Sequence, residues 1–216
     1  MAESGVWGID VSHYQGAINW ELVAQSGVAF AYIKASDGVR GGDPAFRENW
    51  AGAKAAGIRR GAYHFFHAQA DAYAQAERLL SFLGSDHGEL PPALDFEALA
   101  GVRVYEGLQR AKRWLEVVEE AIGQTPIVYT GPAFWRECLK NAETLAGYPL
   151  WIAHYTSAQE PEIPSAWKQW TFWQHSEKGN VEGVTGPVDL DRFNGILTEL
   201  DSLSARIQKK SMAVGS

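Results

Sequence analysis

Two acidic residues, Asp95 and Glu97, stand two positions apart at the end of a short apolar run that follows Pro91 and Pro92. If this run is a strand, its alternation places both carboxyl groups on one face and Phe96 on the other. Two carboxyl groups so close raise the proton affinity of one of them, which leaves one protonated and one ionised. Such a pair can cleave a glycosidic bond. The alternative is a strand that leads into an acidic, solvated turn.

The apolar pattern along the chain predicts eight strands, most of them separated by helices. The predicted strands cover residues 6–12, 28–35, 60–67, 91–97, 126–130, 149–155, 170–175 and 188–193. The predicted helices cover residues 19–27, 43–57, 70–83, 104–122, 134–139 and 196–207. This order predicts an α/β fold, an irregular single-domain (β/α)8-type barrel in which some helices are short or missing. We expect the barrel to span residues 1–208 and residues 209–216 to form a frayed tail.

A barrel would gather acidic residues that are far apart in the sequence, because the carboxyl ends of its strands meet at one mouth. Asp10 lies near the end of the first predicted strand, and Asp95 and Glu97 end the fourth. Asp189 and Asp191 lie on the eighth strand, and the alternation places both on the same face. Four or five carboxyl groups are therefore expected to converge.

Composition excludes several classes of partner and site. The net charge of −7 makes nucleic acid and anionic membranes poor partners. No window is long and apolar enough for a membrane span. A single cysteine, Cys138, excludes an intrachain disulfide and a cysteine-based zinc site. The first residues do not resemble a conventional signal peptide, so we expect the protein to be made in the cytoplasm without one.

Short segments spread along the chain resemble glycoside hydrolase family 25, the muramidase (lysozyme) family, in the same order. The segment Gly8–Gly16 looks like the family's D-x-S-x-x-Q signature, with Asp10, Ser12 and Gln15 at the defined positions. The later segments are residues 32–35, 61–65, 94–97, 151–155, 173–174 and 188–193. Any one of them is a weak match, but together they cover nearly the whole chain.

This resemblance implies an enzyme that cleaves the β-1,4 bond between N-acetylmuramic acid and N-acetylglucosamine in the peptidoglycan glycan strand. It implies Glu97 as the general acid and retention of the anomeric configuration, with Asp95 assisting or with the substrate's own acetamido group as internal nucleophile. We expect Asp10 and Asp189 to be further catalytic residues that set the electrostatic field and the hydrogen bonds around Glu97. Asp189 is preferred to Asp191 because it follows the valine of the family's pattern. We expect no cofactor and no metal.

The site of action and the substrate contacts are further expectations. We expect a monomer that acts on the cell wall after release by lysis, a holin or specialised secretion. The nine tryptophans and eight tyrosines favour aromatic platforms for sugar rings. The candidate substrate-binding residues are Lys34, Tyr63, Tyr129 and Trp151.

Two other functions remain open at this point. A metal-dependent polysaccharide deacetylase or amidohydrolase barrel also needs Asp and His at strand ends, which draws attention to His64 and His67. Residues three apart on a strand point to opposite faces, so His64 and His67 cannot both reach one metal ion unless the strand has a bulge. His64 is therefore expected to be a hydrogen-bonded residue of the barrel. A non-catalytic peptidoglycan-binding protein would not need Glu97 beside Asp95. The longer acidic run of chitinase-like barrels, D-x-x-D-x-D-x-E, is absent before Glu97.

Overall fold

A computed structural model describes residues 5–203, and within them the sheet closes into a barrel. Its strands are β1 (Val6–Val11), β2 (Phe30–Asp37), β3 (Gly41–Gly42), β4 (Arg59–Phe65), β5 (Ala93–Asp95), β6 (Ile127–Thr130), β7 (Leu150–Ala153), β8 (Phe172–Gly179) and β9 (Val188–Phe193). Eight of them form the ring β1-β9-β8-β7-β6-β5-β4-β2, which the pairing of β1 with β2 closes. The short β3 pairs with β2 outside the ring. The predicted barrel is confirmed.

The helices cover the half of the barrel that begins at β1. They are α1 (Trp20–Gln25), α2 (Phe46–Ala55), α3 (Ala72–Leu83) and α4 (Val104–Ile122). After β6 the chain forms one turn of π-helix, Phe134–Cys138, and residues 197–203 are helical. The connections after β7 and β8 contain no helix. The barrel is therefore irregular, as predicted. The predicted tail, residues 209–216, and the end of the predicted last helix lie outside the described residues.

The strand β9 runs antiparallel to both of its neighbours, β8 and β1, whereas the other ring strands run parallel. A (β/α)8-type barrel implies parallel strands throughout, so this direction differs from the expectation. Residues 180–187 connect β8 to β9. A parallel crossover needs a dozen or more residues, so this short connection makes a hairpin. The amino end of β9 consequently lies at the mouth where β1 ends.

The strand β2 is almost wholly apolar because both of its faces are buried. Phe30 and Tyr32 point into the barrel, where they pack with Phe172 and Trp151. The intervening side chains point outward to the helices, and Ile33 is one of them. A strand buried on both faces needs apolar residues at nearly every position.

The longest helix, α4, lies against the outside of the barrel through one apolar stripe. Its buried side chains recur at the helical period: Leu108, Ala111, Leu115 and Val118. Gly123, in the left-handed conformation, ends it. None of the helices within residues 5–203 is long and apolar enough to cross a membrane.

Candidate active site

The mouth of the barrel holds a cleft of about 210 Å³ in which most of the predicted residues meet. Seven of its lining residues are predicted ones: Asp10, Tyr63, Asp95, Glu97, Tyr129, Trp151 and Asp189. The other three, which sequence reasoning missed as site residues, are Tyr155, Gln174 and Glu177. Lys34 is not part of the lining; burial raises the pKa of both Asp95 and Glu97, and the charge of Lys34 partly opposes that rise. The convergence of the carboxyl groups is therefore observed.

The strand β5 positions the pair at the centre of this cleft. It ends at Asp95, and Glu97 lies two residues further on, in the loop. Between them Phe96 is fully buried on the outer side of the barrel. Its N–H donates to the carbonyl oxygen of Tyr129 (3.0 Å), and its own carbonyl accepts from Thr130 Oγ1 (2.9 Å). These anchors continue the alternation past the strand, so both carboxyl groups reach the cleft.

Asp95 and Glu97 differ in their surroundings. Asp95 is buried, and burial together with the charge of Glu97 raises its pKa well above the usual value. Its Oδ1 atom has no hydrogen-bond partner among the described residues. The Glu97 side chain is exposed to the cleft; partial desolvation raises its pKa, while the Tyr129 hydroxyl and the Lys34 charge act in the opposite direction. The two groups are therefore expected to share a proton over a wide pH range.

Gln174, on β8, joins three other walls of the cleft. Its Nε2 donates to Asp10 Oδ2 at 2.6 Å. Its Oε1 accepts from the hydroxyls of Tyr129 (2.9 Å) and Tyr155 (2.7 Å). Burial and the nearby aspartates raise the pKa of Asp10 well above its usual value, and the bond from Gln174 opposes this. Gln174 therefore fixes the orientation of one carboxyl group and two hydroxyls.

The two aspartates of β9 take different depths in the barrel. Asp189 pairs with Asp10 across β1 and β9, is half-buried and lines the cleft. Desolvation, then the charge of Glu177, raises its pKa to about 6. Asp191 lies deeper and is fully buried, where it accepts a hydrogen bond from Trp151 Nε1 at 2.8 Å. Of the two, only Asp189 faces the cleft.

Asp191 makes the stability of the fold depend on pH. Burial raises its pKa from the ordinary 3.8 to about 8, so between these values the unfolded chain releases a proton that the folded chain keeps. Folded-state stability is therefore lost as the pH rises through this window. From pH 5 to pH 7 this group lowers the free energy of unfolding by about 2–3 kcal/mol.

We expect Asp191→Asn to remove most of that decline, because asparagine still accepts the bond from Trp151 and cannot ionise. Urea unfolding at pH 5 and pH 7 measures it. Asp10 and Asp189 have raised pKa values too, so a smaller decline of the same sign should remain. An equal decline in variant and wild type would show that Asp191 is not the source.

The candidate substrate-binding residues differ in their contacts and in how much of each side chain is accessible to a substrate. Lys34 donates to Asp37 Oδ2 (2.9 Å) and lies over the ring of Phe65, 4.9 Å from its centroid. Tyr63 and Trp151 meet edge to face with centroids 6.4 Å apart. Trp151 is only 2% exposed, so it presents little ring surface to a sugar. Substrate contact by these residues stays a prediction.

The histidines that suggested a metal site are engaged elsewhere. His64 is fully buried; its Nδ1 lies 2.8 Å from Ser36 Oγ and its Nε2 3.2 Å from Gln75 Oε1. Burial lowers its pKa to about 4, so it is neutral at pH 7. His67 Nε2 lies 2.7 Å from Asp37 Oδ1. Within residues 5–203 no three His, Cys, Asp or Glu side chains are grouped to hold a metal ion.

Comparison with known proteins agrees with this geometry. Residues 9–184 match the family model of glycosyl hydrolases family 25. Lysozyme M1 of Streptomyces globisporus is 38% identical over 212 residues, which cover 93% of this chain and 72% of the relative. The uncharacterized protein YegX of Escherichia coli K12 is 38% identical over 202 residues, covering 91% and 72% respectively.

Solved structures share the fold as well as the sequence. The crystal structure of the lysozyme from Streptomyces coelicolor superimposes with a TM-score of 0.86 at 36% identity and covers 93% of this chain and 97% of that one. The structure of a family 25 lysozyme from Aspergillus fumigatus gives a TM-score of 0.82 at 30% identity, covering 93% and 99%. The chain therefore belongs to glycosyl hydrolases family 25, the muramidase (lysozyme) family, and is a glycoside hydrolase.

Proposed function

We propose that the enzyme is a 1,4-β-N-acetylmuramidase that cleaves peptidoglycan between N-acetylmuramic acid and N-acetylglucosamine, with Glu97 as the general acid. The observation that carries the proposal is the pairing of an exposed Glu97 with a buried Asp95 in a cleft ringed by further carboxyl groups. A general acid must hold a proton near neutral pH and reach the leaving oxygen. Glu97 faces the cleft, and partial desolvation raises its pKa, which favours its protonated form.

Asp95 is proposed to act on the acetamido group of the muramic acid residue. In the free enzyme the shared proton favours the deeper Asp95, because burial disfavours its charge. Asp95 Oδ1 is an acceptor without a partner in the described chain, and an acetamido N–H can supply one. That bond favours ionised Asp95, and the charge of Asp95 then favours protonated Glu97. Substrate binding thus moves the proton to the residue that donates it.

The proposed reaction retains the anomeric configuration. The acetamido oxygen attacks the anomeric carbon while Glu97 gives its proton to the leaving oxygen, and ionised Asp95 stabilises the positive charge that develops on the acetamido group. Water then opens the cyclic intermediate, and Glu97 takes one of its protons. Such substrate assistance is a recognised alternative to a carboxylate nucleophile. Asp10 and Asp189 are proposed to orient the site and to keep its potential negative.

The cell wall is the proposed site of action, reached after release by lysis, a holin or specialised secretion. A digest of purified peptidoglycan, reduced with borohydride and analysed by mass spectrometry, tests which bond is cut. We expect muropeptides with reduced muramic acid at their ends. Reduced glucosamine ends would identify a glucosaminidase instead. Cleavage of peptide or acetyl groups alone would contradict the glycosidase assignment.

A further inference from the structure

An exposed aromatic pair follows β1 directly. The Tyr14 side chain is 81% exposed, and its ring lies against that of His13, with centroids 4.1 Å apart and planes tilted by 35°. A ring so exposed contributes little to the stability of the fold, because it is not removed from water. The pair is not part of the described cleft lining, so the catalytic site does not explain it.

The backbone beneath this pair is held in one conformation. His13, Tyr14 and Gln15 form a single helical turn, in which Tyr14 N–H donates to Ser12 Oγ (3.3 Å) and Ser12 N–H donates to Gln15 Oε1 (2.9 Å). This reciprocal capping satisfies two backbone donors at the amino end of the turn. The turn therefore does not need a partner molecule to become ordered.

A buried carboxylate also fixes the His13 ring. Asp43 Oδ2 accepts from the backbone N–H of His13 at 3.0 Å and lies 2.7 Å from its Nδ1, while Oδ1 accepts from Ala45 N–H at 2.9 Å. Asp43 is 5% exposed, so its geometry is set by the protein rather than by solvent. An aromatic surface that is already rigid loses little conformational entropy when a ligand binds.

The pair borders the cleft on the side of β1, β2 and β4. Tyr14 lies four residues beyond Asp10, at the carboxyl end of the same strand. Asp43 N–H donates to the carbonyl oxygen of Ala35 on β2 (3.1 Å), and the preceding residue of β2, Lys34, pairs with Tyr63 of β4, which lines the cleft. Tyr155 flanks the cleft from the carboxyl end of β7. In the ring β7 stands opposite β2, so Tyr155 and the pair lie on opposite sides of the mouth.

We propose that His13 and Tyr14 form an outlying subsite for a hexosamine of the glycan strand, beyond the residues held at the cleavage point. This inference rests on the proposed function. A pyranose ring presents an apolar C–H face that stacks on an aromatic ring, while its hydroxyls stay in water; an exposed, rigid ring suits that contact. The net charge of −7 disfavours a nucleic acid strand as the occupant.

The test compares peptide-free glycan strands of two and four disaccharide units. We expect wild-type kcat/KM to be higher for the longer strand, and Tyr14→Ala to lower the long-to-short ratio by about three- to tenfold. Tyr14→Phe keeps the ring and should keep the ratio. Tyr105→Ala is the matched control, because Tyr105 is 73% exposed but opens α4 on a different connection. Because Tyr14 is exposed, we expect Tyr14→Ala to fold normally, and a circular dichroism spectrum equal to that of the wild type checks this.

An unchanged long-to-short ratio in Tyr14→Ala would overturn the subsite, whether both rates stay at the wild-type value or fall by the same factor. Binding separates this failure from that of the proposed function. If the wild type cleaves no glycan, calorimetric titration of the longer strand still compares Glu97→Gln with Glu97→Gln/Tyr14→Ala. Weaker binding by the double variant supports the subsite although the reaction assignment has failed. Equal binding, or none by either protein, rejects it.

Discussion

Glu97→Gln is expected to lower kcat on peptidoglycan by about 100- to 10,000-fold, with a much smaller change in KM. Glutamine keeps the size and the hydrogen-bonding edge of the side chain but has no proton to give. The leaving sugar oxygen is strongly basic, so departure without a proton is slow. Release of reducing ends, measured at equal enzyme concentration, gives the rate.

The control for this variant is an exposed carboxyl group away from the mouth. Glu120, on α4, is exposed and does not line the cleft. Glu120→Gln removes the same charge from the protein and should leave the rate near that of the wild type. If Glu97→Gln lyses cell walls at a similar rate to Glu120→Gln, Glu97 is not the acid.

Asp95→Asn is expected to lower kcat by about 100- to 1,000-fold, the size of effect that loss of one preorganised electrostatic partner produces. Asparagine can still accept the acetamido N–H, but it carries no charge to stabilise the cation that forms. It also lacks the negative charge that favours protonated Glu97, so the pKa of Glu97 falls. The alkaline limb of the pH–rate profile should therefore move to lower pH, in addition to the fall in rate.

The fall in kcat and the shift of the alkaline limb together show whether Asp95 acts through its negative charge or only through the size and position of its side chain. A fall in kcat with an unchanged alkaline limb would mean that Asp95 does not influence Glu97. An alkaline limb that moves to higher pH would reverse the assigned sign and contradict a shared proton. The profiles are measured on kcat, because kcat reports the groups of the substrate complex, in which Asp95 is proposed to be ionised.

Alternation and strand order were enough to predict most of the cleft. The period of two predicts Asp95 and Glu97 on one face, and the structure keeps them there because the hydrogen bonds of Phe96 continue the alternation past the end of β5. Convergence of Asp10 with that pair follows from parallel strands whose carboxyl ends meet. The choice between Asp189 and Asp191 was beyond alternation, because both share a face; depth in the barrel separates them.

Strand direction and side-chain reach could not be predicted in the same way. Alternation carries no direction, and the predicted gap before β9, residues 176–187, is long enough for a parallel crossover. The hairpin becomes evident only because β8 extends to Gly179. Glu177 was missed because β8 extends four residues beyond the predicted strand. Gln174 and Tyr155 belong to segments that resemble the family, but a neutral amide and a tyrosine acquire a role only through the contacts that the fold creates.

The most direct test of Glu97 as general acid compares two substrates that share the same glycan but differ in the group that leaves. One is the natural glycan strand, and the other is its 4-nitrophenyl glycoside, whose weakly basic leaving group departs with little help from an acid. Loss of the acid should slow the first reaction far more than the second. We therefore expect the ratio of wild-type to Glu97→Gln rates to be at least about tenfold smaller on the nitrophenyl glycoside. An equal loss on both substrates would contradict proton donation by Glu97.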